Sequence, residues 1–218
     1  MKQFIPLFFL VFILSYSSFA QTDGSALAQK VADAYGISKF KKAKAISFTF
    51  NVKRDTFPAT SRSWNWNIEQ NTVTMTTPKE TVTYRRDTIK SPAMKSVDGR
   101  FINDQYWLMF PFHTVMDKGC TLTQKDNVMA PIGKKNSTML TVQYNNVDGY
   151  TPGDAYDLYI DKNYMVTEWV YRSKGVAKPS LNTKWENTVK NEGIKTATNF
   201  PSEDGKFKIY FTGVSVKD

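Results

Sequence analysis

The strongest constraint on this chain is a change of hydrophobic period at Lys44. From there Ile46, Phe48, Phe50 and Val52 alternate with Ser47, Thr49, Asn51 and Lys53. A period of two sends successive side chains to opposite faces, so this segment reads as a strand with one apolar and one wet face. Trp64, Trp66 and Ile68 repeat the pattern around Asn65 and Asn67. After Glu69-Gln70-Asn71, Val73 and Met75 continue it on a return strand, which makes residues 62–76 a hairpin. Val82 and Tyr84 mark another strand over 81–86. Further strands are expected at 138–144, 155–161, 165–172, 182–188, 194–199 and 206–216. Turns are expected at Asp161-Lys162-Asn163-Tyr164, at residues 147–150 and at Glu203-Asp204-Gly205. About ten strands at roughly ten-residue spacing point to an extended antiparallel sheet or open barrel.

One helix precedes the strands. Leu27, Val31, Ala34 and Tyr35 fall on one helical face, so residues 26–40 read as a helix with Gly36 as its stop or kink. The middle is less regular. Asp98-Gly99 signals a tight turn, and residues 100–112 read as a short helix or turn followed by an extended apolar segment. Residues 114–137 are mostly polar, with Pro131 and Gly133, and read as a loop with one short strand near 120–123. No internal repeat or low-complexity tract is visible.

The N-terminus has the organisation of a secretory signal. Lys2 is followed by a nearly unbroken apolar run from Phe4 to Tyr16, and Ser18-Phe19-Ala20 has the small-x-small form of a cleavage site. The run is too short to span about 30 Å of hydrocarbon comfortably. Residues 1–20 are therefore expected to be a signal peptide cut before Gln21, leaving residues 21–218 as a single exported domain in the periplasm or outside the cell. With Gln21 rather than cysteine after the cut, release is expected instead of a lipid anchor.

Chemistry-bearing residue types are scarce. His113 is the single histidine, so a site built from several histidines is excluded, and no Gly-x-Ser-x-Gly elbow exists for a serine nucleophile. Cys120 is the single cysteine, which excludes an intramolecular disulfide and reads as a small packed residue; a Cys120–His113 dyad is the competing reading. Asp154 with Asp157, and Glu203 with Asp204, read as turn and surface acids. No phosphate loop or calcium loop is present, and Asn136-Ser137-Thr138 matters as a glycosylation triplet only in a eukaryotic secretory pathway. The formal charge is +9, but the lysines are spread along the chain and no nucleic-acid motif accompanies them. Aromatics make up 14% of the residues, which suits cross-strand packing or a lined apolar pocket. Binding without catalysis is the expectation, with no cofactor and no metal.

Some segments resemble a known family. They are Ile46-Ser47-Phe48-Thr49-Phe50, Val97-Asp98-Gly99-Arg100 leading to Tyr106-Trp107-Leu108-Met109-Phe110-Pro111, Leu158-Tyr159-Ile160-Asp161-Lys162 before Met165-Val166-Thr167-Glu168-Trp169, and Ile209-Tyr210-Phe211-Thr212-Gly213-Val214. In order and type they are similar to periplasmic lipoprotein-carrier proteins of the LolA and LolB type. The resemblance implies a mainly β, α+β fold: an open half-barrel of antiparallel strands, with the N-terminal helix and a short helix or lid on its concave side. It further implies an apolar cavity for acyl chains. The inward candidates are Phe48, Phe50, Trp64, Trp66, Tyr84, Leu158 and Trp169, with Trp107, Phe110 and Phe112 as a movable lid. The chain differs from the carriers in showing one clear long helix and many tryptophans and tyrosines. The expectation is a monomeric carrier or sensor of a lipid, lipoprotein or other lipophilic ligand, with an envelope protein partner or peripheral membrane contact compatible and no nucleic acid. The competing expectation is an envelope protein–protein or glycan-binding module that exposes its aromatics on a flat sheet.

Overall fold

The structure, a computed structural model, describes residues 22–89, 91–147 and 151–218. The expected signal segment, its cut before Gln21 and most of the turn at 147–150 lie outside the described residues. The chain opens with β1 (Thr22–Asp23), α1 (Ser25–Tyr35) and α2 (Ile37–Phe40). The single helix expected over 26–40 is thus two helices. Gly36 separates them at φ 93°, and its N–H donates to the carbonyls of Ala32 and Asp33. That left-handed conformation ends a helix and suits glycine.

Four strands follow: β2 (Ala45–Arg54), β3 (Phe57–Asn67), β4 (Thr72–Thr76) and β5 (Thr81–Arg85). A long helix, α3 (Pro92–Met116), leads to β6 (Cys120–Met129), β7 (Asn136–Tyr144), β8 (Ala155–Ile160), β9 (Val166–Arg172) and β10 (Leu181–Lys184). The chain closes with β11 (Val189–Asn191), β12 (Ile194–Thr196), β13 (Asn199–Pro201) and β14 (Phe207–Lys217). Two six-stranded antiparallel sheets result, ordered β13-β14-β2-β3-β4-β5 and β1-β6-β7-β8-β9-β10, with β11 and β12 as a separate ribbon. A bridge between Glu186 and Asn199 brings the segment after β10 against β13, so the two sheets adjoin on that side. They do not close on the other, and the architecture is an open half-barrel of α+β class.

Register explains which face is apolar. Ile46, Phe48 and Phe50 stand opposite Trp66, Trp64 and Arg62, and Trp64 and Trp66 stand opposite Met75 and Val73. In the other sheet Leu158 pairs with both Leu140 and Trp169, and Tyr156 with Tyr171. Both inward faces pack on α3. Phe101 lies 5.4 and 5.5 Å from the rings of Trp64 and Trp66, while Trp107 stacks on Trp169 at 4.6 Å.

Helix α3 corrects the sequence reading, which placed a turn at Asp98-Gly99 and an extended segment before Pro111. It runs for 25 residues. Ser91 caps it by accepting from the Met94 N–H at 3.2 Å, with Pro92 in the first turn. Residues 107–112 are all buried, so the helix lacks the one-sided apolar stripe that marks a surface helix. Pro111 removes one backbone donor, yet the helix continues, and the Thr114 hydroxyl donates to the Pro111 carbonyl at 2.8 Å. The expected lid residues Trp107, Phe110 and Phe112 therefore sit fixed inside a helix between the sheets.

Residues 114–137 are not the loop with one short strand that their polar sequence suggests. This stretch holds the end of α3, the ten-residue β6 and the start of β7. Strand β6 is flanked on its outer side by the two-residue β1 alone, most of its side chains are half-buried or exposed, and no alternation shows. The turn after it is pinned by Glu168, which accepts from the N–H groups of Ile132 and Gly133 at 2.7 and 2.6 Å. The strand expected over 194–199 is split into β12 and β13, and that over 182–188 shortens to β10.

Two glycines give opposite predictions. A Cβ at Gly36 would collide with the Gly193 carbonyl oxygen, and φ is left-handed there. Gly36→Ala should cost about 2 kcal/mol or more. Gly99 lies within α3 with nothing near its missing Cβ. Gly99→Ala should stabilise by about 0.5–1 kcal/mol. Urea unfolding midpoints of the two variants check both signs.

Candidate functional site

The two sheets and α3 line a half-open cavity of about 780 Å³. One wall is the inward face of β2, β3 and β14, contributing Phe50, Val52, Arg62, Phe207 and Ile209. The opposite wall is Tyr156 of β8, Trp169 and Tyr171 of β9, and Leu181 of β10. Helix α3 supplies Gly99, Ile102, Asn103, Tyr106 and Trp107. The hairpin tip between β2 and β3 adds Arg54, Phe57 and Pro58, with Phe57 67% exposed. Thr151 and Asp154 stand just before β8. The lining thus joins an aromatic and aliphatic interior to a polar rim, and its volume lies within the roughly 300–1,000 Å³ of small-molecule sites.

Of the ten residues singled out from sequence, Phe50, Trp107 and Trp169 line this space. The other seven are packed elsewhere. Phe48 meets the edge of Phe211 at 5.7 Å, Phe112 stacks on Phe40 at 4.4 Å, and Phe110 lies 4.8 Å from Tyr156. Trp64 and Trp66 hold Phe101, Tyr84 donates to Asp98 at 3.0 Å, and Leu158 is fully buried. The polar rim was not foreseen. Arg62 carried a signal: it shares the period-two face of Trp64 and Trp66, so a charge there must enter the interior.

Two carboxylate hubs fix the lining. Asp104 is fully buried and accepts from Arg62 Nε and Nη2 at 2.8 Å each, from Trp64 Nε1 at 2.8 Å and from Asn103 at 3.0 Å. Hydrogen bonding to Asp104 pushes the Arg62 guanidinium further toward its charged form, against the opposing effect of burial. Its carbon also lies 5.1 Å from the Phe50 ring centre, a cation–π contact on the cavity wall.

The second hub is Asp117. Tyr106 and Tyr144 each donate to its Oδ2 at 2.6 Å, and His113 Nδ1 donates to Oδ1 at 2.7 Å. His113 Nε2 lies 3.0 Å from Gln105 Oε1, and its ring stacks on Tyr106 at 4.1 Å. Burial works against the charge of Asp117, but the hydrogen bonds and charge of His113 and the two tyrosine hydroxyls outweigh it and hold the carboxyl below its ordinary value. Burial and the Asp117 bond push the Tyr106 hydroxyl up. Both His113 nitrogens face Asp117 and Gln105 and neither faces Cys120. The Cys120 thiol is pushed up by burial and by Asp117, which is the reverse of nucleophile activation. Among the described residues no group of three His, Cys, Asp or Glu side chains could hold a metal ion.

No protein-family model matches the sequence, and no curated protein matches it. Solved structures do match in fold. A LolA superfamily protein from Nitrosomonas europaea superposes with a TM-score of 0.51 at 6% identity, covering 90% of this chain and 94% of that one. A DUF1329 family protein from Desulfovibrio piger gives a TM-score of 0.52 at 10% identity over the same shares. The chain has a LolA-like fold.

The Asp117 hub predicts a pH dependence. Its folded pKa lies below the ordinary value of 3.8, so its ionised form stabilises the fold above that value and the contribution is lost as pH falls through the folded pKa. Asp117→Asn should lower the melting temperature at neutral pH, and the gap to wild type should narrow below about pH 4. Thermal melts across pH check this; a gap that widens in acid would contradict it.

Proposed function

We propose that this protein is a carrier or sensor of an amphiphilic, lipid-like ligand in the envelope of its cell, acting as one exported domain without catalysis. The observation that carries the reading is the cavity itself, about 780 Å³ of space walled by Phe50, Val52, Trp107, Trp169 and Ile209. An acyl chain crossing water must be shielded, and burying each CH₂ contributes about 0.8 kcal/mol. A half-barrel closed on one side by a helix offers such shielding without further groups. The likeness in fold to a LolA superfamily protein supports the same reading. Phe50, Trp107 and Trp169 are the sequence-expected residues assigned to ligand contact, joined by Tyr106, Tyr156 and Ile209. The module that displays aromatics on a flat sheet is disfavoured, because Trp64 is buried and Trp66 packs on Phe101.

The test is displacement of a fluorescent fatty acid by saturated fatty acids of increasing length. Affinity should rise roughly fourfold per added CH₂ until the cavity is full. Val52→Trp, which grows a half-buried strand residue into the cavity, should weaken every member by about tenfold or more without changing the melting temperature much. No uptake of the probe, or affinity independent of chain length, would contradict the reading.

A further inference from the structure

Asp154 is the acid that lines the cavity among the described residues. Asp104, Asp98 and Asp157 are each paired with an arginine, namely Arg62, Arg86 and Arg172. Asp154, half-buried on the cavity wall, forms no ion pair with a lysine or arginine among the described residues. Its Oδ2 accepts from the Tyr171 hydroxyl at 3.0 Å and its Oδ1 from the Lys174 N–H at 2.8 Å, which orient the carboxylate without neutralising it. These two hydrogen bonds leave the negative charge beside an aromatic wall without a counter-charge, a place a bound cation can fill. The neighbouring rings suit a cation too: Tyr171 stacks on Tyr156 at 5.3 Å, and Tyr156 lies 5.0 Å from Trp169.

The opposite wall carries the other sign. Arg62 gives Nε and Nη2 to Asp104, and its Nη1 has no hydrogen bond to a described residue. Arg54 is exposed at the cavity's outer end over the Phe207 ring, with no ion pair among the described residues. A formal charge of +9 also disfavours a ligand that is only cationic. We infer that the cavity selects a zwitterionic head group, its ammonium against Asp154 and its anionic group toward Arg62 and Arg54. This inference rests on the carrier reading and names the ligand class within it: an acyl chain bearing an amine and a phosphate.

The experiment compares three lipids with the same palmitoyl chain, each below its micelle concentration: lysophosphatidylethanolamine, lysophosphatidylglycerol and neutral monopalmitoylglycerol. Displacement of the fluorescent fatty acid is the readout. The zwitterion should bind about tenfold more tightly than lysophosphatidylglycerol, which in turn should bind more tightly than the neutral lipid. Asp154→Asn should bring the two phosphate lipids within about twofold of one another while both still bind more tightly than monopalmitoylglycerol, and Asp154→Glu should retain the preference for the zwitterion. If Asp154→Asn does not fold, added salt should erode the preference in the wild type and spare the neutral lipid. Equal binding of all three by the wild type, or an unchanged preference in Asp154→Asn, would overturn the head-group inference alone. Failure of all three to bind, the neutral lipid included, would overturn the carrier reading with it.

Discussion

A buried carboxylate holds this molecule together. Asp104, on a helix lying in the bowl of the half-barrel, takes two hydrogen bonds from Arg62 and one from Trp64, both on β3. A charge with no exposure is tolerable only when its oxygens are filled and a counter-charge is adjacent, and stripping one partner from such a pair costs about 3–5 kcal/mol. The geometry follows from that demand. Arg62 and Trp64 sit two residues apart on the inward face of one strand, so they converge on a single point of α3. Asp98, nearly two turns earlier, is held in the same way by Tyr84 and Arg86. Helix α3 is thereby fixed in position and rotation against one sheet, and Trp107 and Phe110 are delivered to the other.

The cavity is a consequence of this placement. Helix α3 fills the bowl where Phe101 and Phe110 project from it, and leaves space where Gly99 presents no side chain and Ile102 and Asn103 reach the wall. The Asp117 hub holds the Tyr106 hydroxyl at the far end of the same helix and so defines another edge of the lining. Rigid polar anchors around an apolar space are what a binding site needs, because a ligand then meets a wall that is already formed.

Much of the frame was legible in the sequence. Ile46 to Phe50 and Trp64 to Trp66 alternate because one face of each strand is more buried than the other, and that rule survives folding up to Asn51, which is itself buried. Gly36 marked its break because only a left-handed residue fits there. Helix α3 was hidden because burial on most sides erases the stripe, and because Gly99 and Pro111 read locally as breakers that packing overrides. Strand β6 was hidden because its side chains are largely wet on both faces. The site was legible only in part for a related reason. Alternation shows that Phe48, Phe50, Trp64 and Trp169 face inward, but not which of them the helix covers. Asp154 stands in a turn-like context, where an acid ordinarily meets solvent, and only the fold brings it against Tyr156 and Tyr171.

The central claim is that the space beside α3 is made to be occupied by an amphiphile. Native mass spectrometry of the protein recovered from its own cells, without detergent, tests it most directly. The account predicts one lipid-mass adduct per chain, released on collisional activation and carrying both an amine and a phosphate. A spectrum of the bare chain alone, under conditions that preserve weaker complexes, would contradict it.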